Sequence, residues 1–114
     1  MTKQHKLVFL EADRANFDAI KSGKKKLETR AAVSKYRQIK AGDGITFICG
    51  RSKFKKRVVR AAVFKTITAM LKKYKVVEIN PQVRTAKELQ QMYLSYPRYP
   101  EKLKQYGLIV WELE

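Results

Sequence analysis

Apolar and polar positions alternate along the chain in short blocks whose period changes from block to block. KLVFLE (6–11) is a continuous apolar run of strand length. In RANFDAI, Phe17 and Ile20 lie three apart, as on one helical face, with Asp13 placed to cap the helix and Gly23 to end it. KLETRA (26–31) then alternates with period two. That predicts a strand with Leu27, Thr29 and Ala31 on one face and Lys26, Glu28 and Arg30 on the other.

KAGDGITFICG (40–50) reads as a turn built on Gly42, Asp43 and Gly44, followed by a buried strand from Ile45 to Ile48. RSKFKKR (51–57) interrupts the apolar pattern and predicts a basic hairpin turn, with the β-branched VVRAAVF (58–64) as the returning strand. Thr66 or Thr68 is placed to start a short helix reaching about Tyr74, with Lys72, Lys73 and Lys75 at its cation-favouring end. Asn80-Pro81 is a break. TAKELQQMYL, from Thr85, has Glu88 at capping-box spacing and an apolar stripe of Leu89, Met92 and Tyr93. SYPRYPEKL, with two prolines, predicts an irregular connection, and GLIVWELE a closing strand. The order is strand, helix, several strands, two helices and a last strand. It predicts a mixed, mainly β fold: a small barrel with helices across its openings.

The length of 114 residues predicts one domain over 1–114. No apolar run approaches the length of a bilayer-spanning helix. Acidic residues, not a small-residue cleavage site, follow the first apolar run. A soluble cytoplasmic protein is expected. Cys49 is the only cysteine, which excludes an internal disulfide and suits a buried thiol.

Charge changes the picture most. Between Lys21 and Lys75 there are eighteen Lys and Arg against Glu28 and Asp43, an excess equal to the whole formal net charge of +16. The remaining residues balance. Solubility needs far less than this, so a polyanionic partner is expected.

GKKKLETR (23–30) is the candidate site. Glu28 and Arg30 share a strand face, so a carboxylate can orient a planar guanidinium suited to a phosphate or a base edge. Lys25, just before the strand, can be aimed at the same place. An ordinary surface ion pair would use the same spacing. Tyr36, flanked by Lys35 and Arg37, is the best candidate for stacking on an unpaired base. Tyr93 and Trp111 read as core, while Tyr96 and Tyr99 either pack their own loop or offer further stacking faces. His5 is the lone histidine, and the sequence offers no Ser-His or Cys-His pair and no metal-ligand spacing. No cofactor or metal is expected.

Taken in order, Gly23, Lys25, Glu28 with Arg30, IKAGDGITF (39–47), VVRAAVFKTITAML and YGLIVWELE resemble the ASCH domain, a branch of the PUA-like superfamily. The resemblance implies a PUA-like β-barrel of five or six strands with flanking helices. It also implies a cleft beside Lys25, Glu28 and Arg30, and RNA as partner. Lys24, Lys25, Lys26, Glu28, Arg30, Lys35, Tyr36, Arg37, Lys53, Lys55, Lys56 and Arg57 are the residues expected to meet it. One ASCH branch hydrolyses acetylated cytidine with a lysine, a threonine nucleophile, an arginine and a distant glutamate. Lys25 and Arg30 match that pattern, but the nucleophile position holds Glu28, and Thr29 is turned away by strand alternation. Lys25, Glu28 and Glu78 are the candidates should a hydrolase reading hold, whether amidohydrolase-like or ribonuclease. A third reading is a basic adaptor for an acidic protein or ribosomal surface.

Overall fold

The computed structural model describes residues 2–114. Its strands are β1 (Gln4–Phe9), β2 (Leu27–Ala31), β3 (Gly44–Cys49), β4 (Ser52–Phe64) and β5 (Leu108–Leu113). The helices are α1 (Arg14–Ser22), α2 (Ser34–Arg37), α3 (Ile67–Leu71), α4 (Val76–Ile79), α5 (Ala86–Ser95) and α6 (Tyr99–Tyr106). The strands form one curled sheet in the order β1-β3-β4-β5-β2, with only β1 and β3 parallel. β1 and β2 are the two edges, so the barrel is half open. This is the small mixed β fold with flanking helices that the element order predicts.

Two cores explain the apolar pattern. Leu7, Phe9, Phe17, Ile20, Phe47, Val58 and Trp111 fill the inside of the curl beneath α1. Leu27, Met70, Ile79, Leu89, Tyr93, Leu108 and Val110 fill a second core under the later helices. β5 contributes to both, Ile109 and Trp111 to one and Leu108 and Val110 to the other. A strand buried on both faces reads as a continuous apolar run, as LIVW does.

Several sequence expectations need correction. The basic stretch 51–57 is not a turn: β4 runs unbroken for 13 residues and the hairpin turn is only Gly50-Arg51, since Cys49 pairs with Ser52. A register shift between Val58 and Arg60 then exchanges the two faces of the strand. SYPRYPEKL is irregular only over 96–98, because α6 starts at Tyr99 with Pro100 in its first turn, where a missing N–H costs nothing. Thr66 does cap α3 by accepting from the Ala69 N–H, but the helix stops at Leu71, short of Tyr74, and α4 follows as a separate turn. Asp13 makes no side-chain cap on α1. Thr85 does cap α5, accepting from the Glu88 N–H, and Cys49 is buried.

Candidate nucleotide-binding cleft

Gly23 ends α1 in a left-handed conformation (φ 87°), which a residue with a Cβ resists. The chain therefore turns sharply, and the Lys25 N–H returns to the Ala19 carbonyl at 3.0 Å. That turn drives the Lys25 side chain inward. Lys25 and Glu28 are each only 5% exposed, unusual for charged residues and decisive against an ordinary surface ion pair.

Glu28 holds the cluster together. One carboxylate oxygen accepts from Lys25 Nζ at 3.2 Å and from the Thr29 N–H at 3.1 Å. The other accepts from Arg30 Nε at 3.3 Å. Burial alone would raise the Glu28 pKa, but Lys25 and then Arg30 outweigh it and hold the carboxyl below its usual range. Burial likewise works against charge on Arg30, and Glu28 reverses that effect. The guanidinium carbon of Arg30 lies 4.9 Å from the Phe9 ring centre and 5.8 Å from that of Tyr36, and Nη1 reaches the Tyr36 hydroxyl at 3.5 Å. Two aromatic rings and a carboxylate thus fix the plane of the fork.

β2 is an edge strand with free backbone donors that invite another strand. Two side chains cover them here: Glu28 takes the Thr29 N–H, and the Tyr99 hydroxyl accepts from the Ala31 N–H at 3.5 Å. The gap between the two sheet edges stays open as a cleft of about 230 Å³. Phe9 and Leu10 contribute from the end of β1, Lys25 from the turn before β2, Glu28, Thr29 and Arg30 from β2 itself, Asp13 and Asn16 from the α1 side, and Tyr93, Tyr96 and Tyr99 from the α5–α6 corner. The segment between those helices carries Arg98 in a left-handed conformation (φ 64°), the single non-glycine residue of that kind among the described residues. Burial, then the Asp13 and Glu28 carboxylates, push the Tyr96 hydroxyl up to about 12, so it stays a neutral donor and acceptor.

The charged groups lining the cleft are Lys25 and Arg30 against Asp13 and Glu28. They cancel. The cleft is therefore rich in hydrogen-bonding groups but carries no net charge, which suits a neutral polar group better than a phosphate.

The remaining expected site residues lie elsewhere. Lys24 and Lys26 are exposed, with Lys24 beside a second groove that also involves Asn16, Ser22 and Gln82. Lys53 and Lys55 are exposed on the sheet face opposite the α1 core; Lys6 and Lys55 flank Thr46 in one rank, and Val8 and Lys53 flank Ile48 in the next. Lys56 belongs to the other face, 6.0 Å from the Phe54 ring. Arg57 is paired with Glu114. Tyr36 is half-buried, edge-on to Trp111 at 5.9 Å, with Lys35 Nζ 4.9 Å from its ring centre. Arg37 is committed to the Ala32 and Tyr106 carbonyls at 2.7 and 2.8 Å, so it braces the fold.

Glu78 is exposed, accepts from the Lys75 N–H at 2.9 Å and does not line the cleft. Thr29, expected to face away, reaches the cleft wall with its hydroxyl on that of Tyr93. Tyr96 and Tyr99, open in the sequence between loop packing and stacking, line the cleft and also pack edge-on against each other at 5.1 Å. Nothing in the sequence marks Asp13, which reads as a helix cap, or Asn16 and Phe9 as cleft residues. Asn16 lies on the same helical face as the flagged core positions Phe17 and Ile20 only in part, and no local pattern marks it as a cleft residue. Among the described residues no group of three or more His, Cys, Asp or Glu could hold a metal ion, and no helix is long and apolar enough to cross a membrane.

A half-open five-stranded barrel with a buried Lys-Glu-Arg cluster on an edge strand defines a small PUA-like domain. The ASCH domain family model matches residues 10–114, and the chain belongs to that family. The crystal structure of hypothetical protein PH0355 is similar, with a TM-score of 0.81 and 32% identity, covering 100% of this chain and 98% of that one. The solution NMR structure of protein PF0455 from Pyrococcus furiosus is also similar, with a TM-score of 0.72 and 34% identity over 100% and 96% of the two chains. No curated protein matches the chain.

Proposed function

We propose that this ASCH domain binds RNA, seating one nucleotide in the cleft while the phosphate backbone runs over the basic outer surface. The observation that carries this reading is the buried Lys25–Glu28–Arg30 cluster at the mouth of a tyrosine-lined cleft. Burying Lys25 and Glu28, with Arg30 mostly covered beside them, is costly. Their cost is offset when the fork they orient has a ligand to meet. The cleft, at about 230 Å³, is smaller than the roughly 300–1,000 Å³ of drug-sized ligand sites, so it takes one base or nucleoside rather than a stretch of strand. Lys53, Lys55 and Lys6, on an uncovered sheet face with no carboxylate paired to them among the described residues, supply sequence-independent attraction.

Hydrolysis is less well supported. Glu28, held anionic below its usual range by two cations, is a weak base, and Glu78 lies away from the cleft. The test is a titration of wild type and Arg30→Lys against a preferred and an arbitrary RNA. Lysine keeps the charge and loses the planar fork. Binding of the preferred RNA should weaken by about 1–3 kcal/mol, with little change for the other. Equal behaviour of the two proteins toward both RNAs would remove Arg30 from the site.

A further inference from the structure

The cleft has an apolar lip that the charged cluster does not explain. Val8 is 64% exposed and Leu10 71%, and both line the cleft. Val8 also belongs to the outer sheet face, where it stands beside the half-buried Ile48, with Lys53 on the far side. Leu10, Val8 and Ile48 thus make an apolar strip that begins in the cleft and ends at a lysine. Two strand spacings, about 10 Å, separate Val8 from Lys53. Lys6 and Lys55 flank Thr46 in the next rank. Single exposed apolar side chains are ordinary, but a contiguous strip rimmed by cations marks a binding surface. The strand residues of this face include no carboxylate and no aromatic ring among the described residues. From the cleft outward the surface is therefore polar and neutral, then apolar, then cationic.

We infer that RNA crosses this lip as an unpaired single strand. One base enters the cleft, the base of the adjoining nucleotide lies on Leu10 and Val8, and the phosphates beyond it meet Lys53, Lys55 and Lys6. This inference rests on the RNA-binding reading above and adds the strandedness of the RNA and the two residues that select it. Every base has an apolar face, so contact with the lip is indifferent to base identity. A duplex keeps its bases paired and stacked inward. It meets the lysines through its phosphates, but it must unpair and flip a base to fill the cleft. Without that, it sets charged backbone against Val8 and Leu10, which desolvates phosphate for no return.

The test uses one short, unstructured RNA, single-stranded and annealed to its complement. Each form is titrated across salt concentrations against wild type and a protein carrying Val8→Thr with Leu10→Ser, with thermal melting in parallel. Threonine keeps the β-branched shape of Val8, and both positions are exposed, so melting should hold. Wild type should bind the single strand at least about tenfold more tightly than the duplex. The double substitution should weaken single-strand binding about fivefold and leave duplex binding unchanged. The slope of log K against log salt should stay the same, because no phosphate contact is lost. Equal affinity of wild type for the two forms, or tighter duplex binding, would overturn the inference and leave the RNA-binding reading standing. So would a doubly substituted protein that matches wild type on the single strand, or that loses both forms equally. A marked fall in its melting temperature would make the lip a structural element and also overturn the inference. No binding of either form to wild type would overturn both readings.

Discussion

Replacing Glu28 by glutamine keeps the shape of the cluster and removes the one charge that holds it. Lys25 would be left 5% exposed with no counter-charge, and Arg30 would lose its carboxylate partner at 3.3 Å. A unit pair at the Lys25–Glu28 separation of 3.2 Å is worth about 5 kcal/mol at an effective dielectric of ~20. Glu28 no longer has to be desolvated as an ion, which offsets part of this. Removing one partner of a buried pair costs about 3–5 kcal/mol in general. Arg30, whose side chain is 17% exposed, can turn toward water, so the lower end applies. For a chain of this length about 3 kcal/mol corresponds to a fall of roughly 12 °C in melting temperature.

The pH dependence adds a second signature. The folded pKa of Glu28 is depressed, so its contribution is complete above the ordinary value of 4.5 and is lost as the pH falls through the lower folded value. The gap between wild type and Glu28→Gln should therefore close in acid. Adding Lys25→Met to Glu28→Gln should recover at least half of the loss, because the orphaned ammonium is gone. The assay is thermal denaturation by circular dichroism from pH 2.5 to 7. A fall of under 2 °C at pH 7, or a gap that does not change with pH, would refute the reasoning.

Three further outcomes follow from the same structure. Lys53→Ala with Lys55→Ala should weaken all RNAs alike and reduce the slope of log K against log salt by about 1.4, that is ~0.7 per lost phosphate contact; a fluorescence titration across salt concentrations reads this. Gly107→Ala should cost about 3 kcal/mol or more by urea denaturation, because Gly107 has φ 77° and a Cβ there would overlap the Phe64 carbonyl oxygen. Asp43 accepts from the Lys3 and Lys40 N–H groups, both at 3.0 Å, and is held near His5 Nε2 at 2.8 Å. Asp43→Ala should cost about 1–3 kcal/mol at pH 7. The Lys40 and Lys3 N–H groups, with His5, lower the Asp43 pKa from 3.8 to about 2, so the cost should vanish as the pH falls through that window.

Local chemistry made much of the fold legible before any coordinates. Gly23, the alternation of KLETRA, Thr85 and the run after Gly107 each mark an element that the structure contains. The failures have physical causes. KFKKR looks like a turn because one sheet face there is open to solvent, so lysines alternate with Phe54 on a strand that never leaves the sheet. YPEKL hides a helix because proline is acceptable in a first turn. Within the site, Lys25, Glu28 and Arg30 were legible as a local spacing. Phe9, Asp13, Asn16 and the Tyr96–Tyr99 corner were not, since they meet the cluster only when the two sheet edges fail to close. Glu78, a candidate only through the distant glutamate of the acetylcytidine-hydrolysing branch, lies outside the cleft, and its carboxylate serves its own short helix.

The central claim is that one nucleotide enters the cleft between the sheet edges. Titration of the uniformly labelled protein with a short single-stranded RNA, followed by protein-detected NMR, tests it most directly. Shifts are expected at the Asn16, Thr29, Arg30 and Tyr99 amides and at the Arg30 side-chain Nε–H, saturating together with those on the Lys53–Lys55 face. Shifts confined to exposed lysines, with the Arg30 and Asn16 signals unmoved at saturation, would contradict it.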